Sequence, residues 1–508
     1  AAIRDKDAYI GTIEAALRDK DVYIGTIEAD IKEKNAALNR IYESHGWKAL
    51  LFYYRIRAKI FPENSKRRLF AKAVFNTILK TSVIFKSLNK IKPKKSNTLE
   101  PAISKEMITK EFPEISDNSD PKALSDHLEG IGFNEKVKKD IKGSFGVNIV
   151  GSIASESGIG EAVRSNIRAI EKAGIPYVLH NVGSNSREND DTYTNFVEDN
   201  PYSINLIHIN ADGIQGFLNV EGIECFRKRY NIGFWYWELS EFPDEWHDLF
   251  KYFDEIWVAT DFCLDAITRV SPIPVVKISP SIVMEKTVGF DRAYYGLKKE
   301  SFIFFFMFDF LSYFERKNPL AVIEAFMSAF RPDEDVLLLI KCSNSDWNIE
   351  ARDRVMEAAG GLRVKFMDKY FSKVELNALM SLTDCYVSLH RAEGFGLPLA
   401  EAMYLKKPVI ATGYSGNVDF MNLNNSFLVR YRLVEIEEDL GPYKKGRIWA
   451  DRDTGHAAEL MRLVYDNRDL ANRIGEQASV DIKTYLSPEA CGRRIFDRIQ
   501  HIKKYSGA

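Results

Sequence analysis

The chain has 508 residues, 45% of them apolar, and a formal net charge of −2. That is enough apolar chain to bury two sizeable cores, which excludes wholesale disorder, and the balanced charge excludes a global field for nucleic acid. The five cysteines are scattered without a C-x-x-C pair, so neither a disulfide framework nor a zinc site is expected, and a reducing compartment fits.

The chain does not begin with Met, which is compatible with a segment of a longer protein. It opens on a repeat: RDKDAYIGTIEA at 4–15 returns as RDKDVYIGTIEA at 18–29, two heptads later. Ile3, Ile10, Leu17, Ile24, Ile31 and Leu38 share one heptad position, and Ile13, Ile27 and Ile41 alternate with Lys6, Lys20 and Lys34 at another. Such an a/d seam predicts a coiled coil over 1–45 that makes the protein a homo-oligomer. Gly11 and Gly25 weaken it, and a lone amphipathic helix lying on its own domain is the alternative.

Residues 46–95 hold fourteen Lys or Arg and one acid, Glu63, with aromatic and aliphatic residues interleaved. From 69 to 91, apolar residues recur every third or fourth place and lysines occupy the other face. This predicts amphipathic helices facing an anionic membrane surface. A basic hairpin packed on its own enzyme and a phosphate-binding surface for nucleic acid fit the same pattern; no nucleic-acid partner is expected. The longest apolar run, around 302–308, is strand-length, so no membrane-spanning helix is expected, and the amino end has no signal-peptide layout. Residues 96–143 read as a polar linker with short helices near 121–130 and 134–142.

At Gly146 the rhythm changes to strands alternating with helices. Strands are predicted at 147–153, 177–181, 204–209, 232–236, 255–259 and 275–279. A second series follows at 302–308, 336–341, 364–367, 385–390, 409–411 and 427–429. The fold class is therefore α/β, with two Rossmann-like domains at 144–295 and 296–485 and a last helix in 486–508. After the first strand, Gly158-Ile159-Gly160 opens a helix. The third strand carries His208 and, just beyond it, Asn210; His208 is equally readable as a hydrogen-bonded core residue. Trp237, Glu238 and Trp246 are candidates for a cleft lining or for packing. In the second series, FDFLSYFERK (308–317) leaves the first strand toward a helix at Pro319 and carries Arg316 and Lys317. The most informative segment is SLHRAEGFGLPLAEAMYLKKPVIATGYSGNVDF, 388–420. A strand runs into the loop Glu393-Gly394-Phe395-Gly396, then into a helix with Pro398 in its first turn, where proline is tolerated. Such a helix start presents free N–H groups to an anion, and Gly394 and Gly396 allow close approach of a diphosphate.

The spacing of Glu393 and Glu401, the surrounding EGFGLPLAEAM, the strand PVIAT and the Gly-rich turn after it resemble retaining glycosyltransferases of the GT-B fold, in particular the large family four. The resemblance covers residues 145–480. It implies that the Gly394, Phe395, Gly396 and Leu397 backbone and Glu401 bind a nucleotide-sugar donor. Glu393 would hold the sugar, Lys317 and Arg316 the diphosphate, and Gly158 and Gly160 a loop close to the donor phosphate. Leu311 stands where the family usually has an Arg, and Arg316 is the nearby replacement. Asn210 occupies the place of a family histidine, with His208 two positions earlier. Neither a metal nor another cofactor is implied. FWYWELSEFPDEW and DEIWVATDF resemble bacterial enzymes of O-antigen and capsule assembly, many of them mannosyltransferases. Their acceptors are lipid-linked glycans, so a cytoplasmic place, peripheral on the inner face of the cytoplasmic membrane, is expected. The other readings are an inactive GT-B scaffold organising a membrane glycan-assembly complex, and a nucleotide-sugar epimerase or phosphorylase; no pyridoxal lysine motif is apparent.

Overall fold

A computed structural model describes residues 141–183, 190–285, 287–360 and 363–506. The coiled coil expected over 1–45, the basic segment of 46–95 and all but the end of the expected linker lie outside the described residues.

The first domain is one parallel sheet of β1 (Ser144–Gly151), β2 (Tyr177–Asn181), β3 (Tyr202–His208), β4 (Tyr230–Trp235), β5 (Glu255–Val258) and β6 (Val275–Lys277), in the order β2-β1-β3-β4-β5-β6. Helices α1 (Gly158–Lys172), α2 (Ala211–Glu221) and α3 (Asp261–Thr268) make the crossovers. Because helices cover the faces, β3 and β4 read as nearly continuous buried runs rather than as alternations. The exception is a row of asparagines. Register places Asn148 beside Asn205 and Asn205 beside Asn231. Asn148 Nδ2 donates to Asn205 Oδ1 (2.9 Å), and Asn205 Nδ2 to Asn231 Oδ1 (2.8 Å). Each buried amide thus finds a partner, which spares its desolvation cost.

The second domain repeats the plan. Its parallel sheet, in the order β12-β11-β10-β7-β8-β9, comprises β7 (Phe302–Met307), β8 (Val336–Cys342), β9 (Val364–Asp368), β10 (Cys385–Ser388), β11 (Val409–Thr412) and β12 (Phe427–Val429). Around it lie α4 (Phe314–Lys317), α5 (Pro319–Ala329), α6 (Ile349–Ala359), α7 (Lys373–Leu382), α8 (Leu397–Tyr404), α9 (Thr454–Asp466) and α10 (Arg468–Tyr485). One apolar cluster contains Ile149 and Phe234 of the first sheet and Phe305 and Tyr386 of the second, so the two domains share packing.

The two Rossmann-like domains expected from the sequence are present, with local differences. β1 stops at Gly151, short of the expected 153, because Ile153 N turns back to donate to Gly151 O (2.9 Å). β10 stops at Ser388 because His390 turns inward, its Nε2 3.1 Å from Asn417 Oδ1. An antiparallel hairpin, β13 (Tyr431–Glu435) and β14 (Ile448–Arg452), was not legible as strands, since β13 is largely exposed and lacks a buried alternate face. The last helix, α11 (Pro488–Ser506), returns to the first domain. A Cβ on Gly492 would stand 2.4 Å from Ala169 O of α1, so the close approach needs glycine. Arg498 of α11 pairs with Glu255, whose side chain is fully buried in β5.

Both sheets contain a topological switch: β1 lies between β2 and β3, and β7 between β8 and β10. Crossovers leave in opposite directions there, opening a crevice at the carboxyl ends of the strands where ligands of such sheets bind. The loops after β1, β3, β7 and β10 all emerge at these points. Among the described residues no helix is long and apolar enough to cross a membrane.

Candidate functional site

β7 and β10 are hydrogen-bonded neighbours, so the chain segments leaving their carboxyl ends are forced together. β7 leads into α4, a single turn that ends at Asn318 in the left-handed region (φ 57°). The break orients Arg316 and Lys317 and frees Asn318 Nδ2 to donate to Leu389 O (3.1 Å). Arg391 N donates in return to Arg316 O (2.8 Å), which ties the turn to the segment after β10.

Glu393 sits at the centre of this junction. Its Oε1 accepts from Lys317 Nζ, and its Oε2 lies 3.3 Å from Arg316 Nη1. Burial alone would raise the Glu393 carboxyl, but Lys317 and Arg316 outweigh it and hold the group at about 2. Burial pulls the Lys317 ammonium down, against the attraction of Glu393. The Lys317 side chain keeps 18% of its surface exposed and that of Arg316 only 7%, so Lys317 is the more accessible cation. Arg316 is held further back, with Nη1 also donating to Ala392 O (3.0 Å).

The loop behind Glu393 is braced by the turn after β11. Ser415 Oγ accepts from Glu393 N, and Gly416 N donates to Glu393 O, both at 2.8 Å. A Cβ on Gly416 would stand 2.3 Å from Gly394 O, which excludes other residues. Gly394 O also accepts from Thr260 Oγ1 of the first domain (2.9 Å). Phe395 is buried against Phe420 (ring centroids 4.9 Å apart) and shapes the loop through its core contact. Gly396, at φ 94°, starts α8, with Leu397 and Pro398 in the first turn and no side-chain cap. Pro398 has no N–H and Leu399 N donates to Gly396 O (3.0 Å), so this uncapped start offers an anion the Gly396 and Leu397 amides and the positive dipole end.

Glu401 follows on α8. It is nearly buried and accepts from Lys373 Nζ of α7. Burial would lower the Lys373 ammonium, but Glu401 and Glu161 raise it overall. Glu161 belongs to α1, beside the Gly158-Ile159-Gly160 turn, so charge of the first domain acts on the Glu401 pair. Burial also acts to raise Glu161, yet Lys373, Arg168 and Arg164 hold it at about 2. Of the two glycines, Gly160 is required, since a Cβ there would stand 2.1 Å from Ser155 O, whereas one on Gly158 would meet nothing. Ser157 Oγ accepts from Gly160 N (3.1 Å) and caps α1.

The structure therefore brings Arg316, Lys317 and Glu393 into one cluster and places the 394–397 turn and Glu401 on the same loop and helix. His208 is different. It is buried, stacked on Phe234 (4.5 Å), and its Nε2 lies 3.1 Å from Asn166 Nδ2. Burial pushes its imidazole down to about 3, so it is neutral. Asn210 stands at the N-cap position of α2 without a side-chain capping bond; its Oδ1 accepts instead from Tyr236 N (2.9 Å), shaping the loop after β4. Sequence reasoning assigned no role to Lys373, Glu161 or Ser415. Lys373 follows Ser372 of a capping box with Glu375, a signal for a helix start but not for a partner on α8. A cavity of about 960 Å³ bordered by Lys277, Asp419, Arg473 and Arg494 reaches Phe395 but none of Lys317, Glu393 or Glu401.

The two depressed carboxyls have a consequence for stability. Glu161 and Glu393 fall from the ordinary 4.5 to about 2 in the folded chain. The unfolded chain then binds more protons as pH falls, so their contribution is present above about pH 4.5 and is lost between there and about pH 2. Urea midpoints measured across that window should fall with acidification, and Glu393→Gln should remove part of the slope. A slope identical in wild type and variant would contradict the pairing.

Residues 290–480 match the family model for Glycosyl transferases group 1, so the chain carries a glycosyltransferase domain. No curated protein matches the sequence. Among solved structures, a glycosyltransferase from Rickettsia africae ESF-5 is similar at 15% identity and a TM-score of 0.52, over 72% of this chain and 100% of that one. A sucrose-phosphate synthase from Thermosynechococcus elongatus is similar at 15% identity and a TM-score of 0.52, over 71% and 99%. At that identity the likeness is one of fold.

Proposed function

We propose that this chain is a retaining, metal-independent glycosyltransferase that moves a sugar from a nucleotide diphosphate donor to a lipid-linked glycan. The observation that carries the reading is the Lys317–Glu393–Arg316 cluster at the β7/β10 switch point, beside the uncapped start of α8. In this reading the donor diphosphate lies over the 394–397 turn. Lys317, with Arg316 behind it, then meets the charge that grows on the departing phosphate, the kind of preorganised stabilisation that supplies much of an enzyme's rate. Glu393 receives the donor sugar and Glu401 the ribose. The bond from the anomeric carbon to the diphosphate oxygen breaks, and the acceptor oxygen bonds to that carbon on the same face. The acceptor proton passes to the departing phosphate oxygen. The products are the lengthened glycan and the nucleoside diphosphate.

Cationic side chains and a helix start cover the role a divalent ion would fill. Among the described residues no group of three His, Cys, Asp or Glu is arranged to hold a metal ion. The finer reading assigns a mannose donor such as GDP-mannose, an O-antigen or capsule glycan as acceptor, and residues 46–95 to an anionic inner membrane surface. Residues 1–45 would hold the copies together. The test is a panel of nucleotide sugars scored by thermal shift and by transfer to lipid-linked acceptors, with and without excess chelator. One donor should stabilise the protein, since a ligand of the folded state alone raises its stability with concentration over Kd, and transfer should survive the chelator. Binding without any transfer would favour the inactive-scaffold reading. Loss of transfer restored by magnesium or manganese would overturn metal independence.

A further inference from the structure

We propose that Glu238 and Tyr443 form a latch between the two domains that orients Arg316 on Glu393, with Tyr443 a positioning residue for transfer; this rests on the transferase reading. Glu238 belongs to the first domain, just after β4, and Tyr443 to the segment joining β13 to β14. That segment can cross Tyr313 only because residue 441 is glycine: its φ is +59°, and a Cβ there would stand 2.0 Å from Tyr313 Oη. Leu440 and Tyr443 exchange backbone hydrogen bonds (2.9 and 3.1 Å), which closes the tip into a turn.

The tip is anchored in the first domain. Tyr443 is 3% exposed, its ring stacked on Trp237 (5.6 Å) and edge-on to Tyr313 (4.9 Å). Ile436 packs in the same cluster as Trp237 and Phe242, and Arg447 pairs with Glu241. Packing alone would be served as well by phenylalanine. The hydroxyl instead donates to Glu238 Oε2 (3.0 Å), the kind of partner a buried phenol usually finds. The other carboxylate oxygen, Glu238 Oε1, lies 4.0 Å from Arg316 Nη2. The guanidinium of Arg316 also lies 5.9 Å from the Tyr443 ring centroid. Arg316 is thus held between a carboxylate of each domain, Glu238 on one side and Glu393 on the other. Its Nε has no hydrogen-bond partner among the described residues, so the neighbours fix its direction without saturating it. Separating the domains breaks the Tyr443–Glu238 and Glu238–Arg316 contacts together. The latch therefore couples closure of the cleft to the placement of Arg316.

The experiment uses the full chain and the variants Tyr443→Phe and Glu238→Gln. Loss of one hydrogen bond to a charged group, felt only when the cleft is closed, should lower kcat by about tenfold and leave the KM for nucleotide sugar within about twofold. The double variant should be no worse than the poorer single, because both act through one contact. An unchanged kcat in Tyr443→Phe, or losses that multiply, would overturn the latch. Amide hydrogen exchange supplies a readout that does not need turnover. Tyr443→Phe should speed exchange both at 237–242 and at 313–317, segments of different domains, and unchanged exchange there would also overturn it. Wild-type protein that transfers no sugar would count against the transferase reading alone, and the exchange result would still decide the latch.

Discussion

Replacing Lys317 with Ala is expected to lower kcat by about 10²–10³-fold, the range found when one preorganised donor to a developing anion is removed. The donor Kd should move much less. Lys317 is committed to Glu393, so a ground-state diphosphate gains only by partly replacing that pair. The full attraction is realised when the phosphate becomes a leaving group and carries more charge. Arg316 lies deeper and donates to Ala392 O, so it is less well placed than Lys317 to meet the phosphate. Removing Lys317 also leaves Glu393 with Arg316 at 3.3 Å as its remaining close cation, which argues for measuring the stability of the variant beside its kinetics. Steady-state kcat and KM, with nucleoside diphosphate binding by calorimetry, separate the effects. A loss in binding as large as the loss in kcat would move Lys317 from the chemical step to simple donor recognition. Near-normal kcat would remove it from the site.

Replacing Glu401 with Ala is expected to weaken nucleotide binding by about 10–100-fold, the equivalent of roughly 1.5–3 kcal/mol for charge-assisted hydrogen bonds to a ribose diol. Lys373 complicates the reading, because Glu401→Ala also strips the buried partner from that ammonium. Lys373→Ala is the control. If Glu401 itself binds the ribose, the control weakens nucleotide affinity less than Glu401→Ala and the double variant resembles Glu401→Ala. If Lys373 is the group that meets the nucleotide, the order reverses. Equal and near-normal affinity in all three would leave Glu401 a structural residue of α8.

How much of this was legible before the structure varies by element. The strands of the two parallel sheets were readable as short runs rich in apolar residues, and the central ones are buried on both faces, a pattern that survives whatever its neighbours are. FIFFFM at 302–307 and VLLLIKC at 336–342 are examples, whereas the edge strand YVLHN at 177–181 is only half-buried. The start of α8 was readable because Gly396 and Pro398 mark it chemically. The hairpin 431–452 was not, since its exposed strand carries no buried alternate face. Nor was the return of α11 to α1: an amphipathic helix states that it will pack and leaves its partner open. The sequence pointed to Gly158 and Gly160 together, whereas only Gly160 is demanded by a close contact.

Local patterns along the chain already say which residues can carry charge to a phosphate and on what kind of element each stands. Glu393 and Glu401 belong to one loop and helix, so their relation is local. Tertiary structure decided the rest. Lys317 reaches Glu393 across 76 residues because β7 pairs with β10. Lys373 reaches Glu401 because α7 and α8 flank that sheet, and Glu238 reaches Tyr443 across 205 residues because the hairpin crosses between domains. Strand order sets these contacts. It follows from how whole apolar faces are covered, a property of the assembled sheet and helices that no local run of side chains encodes.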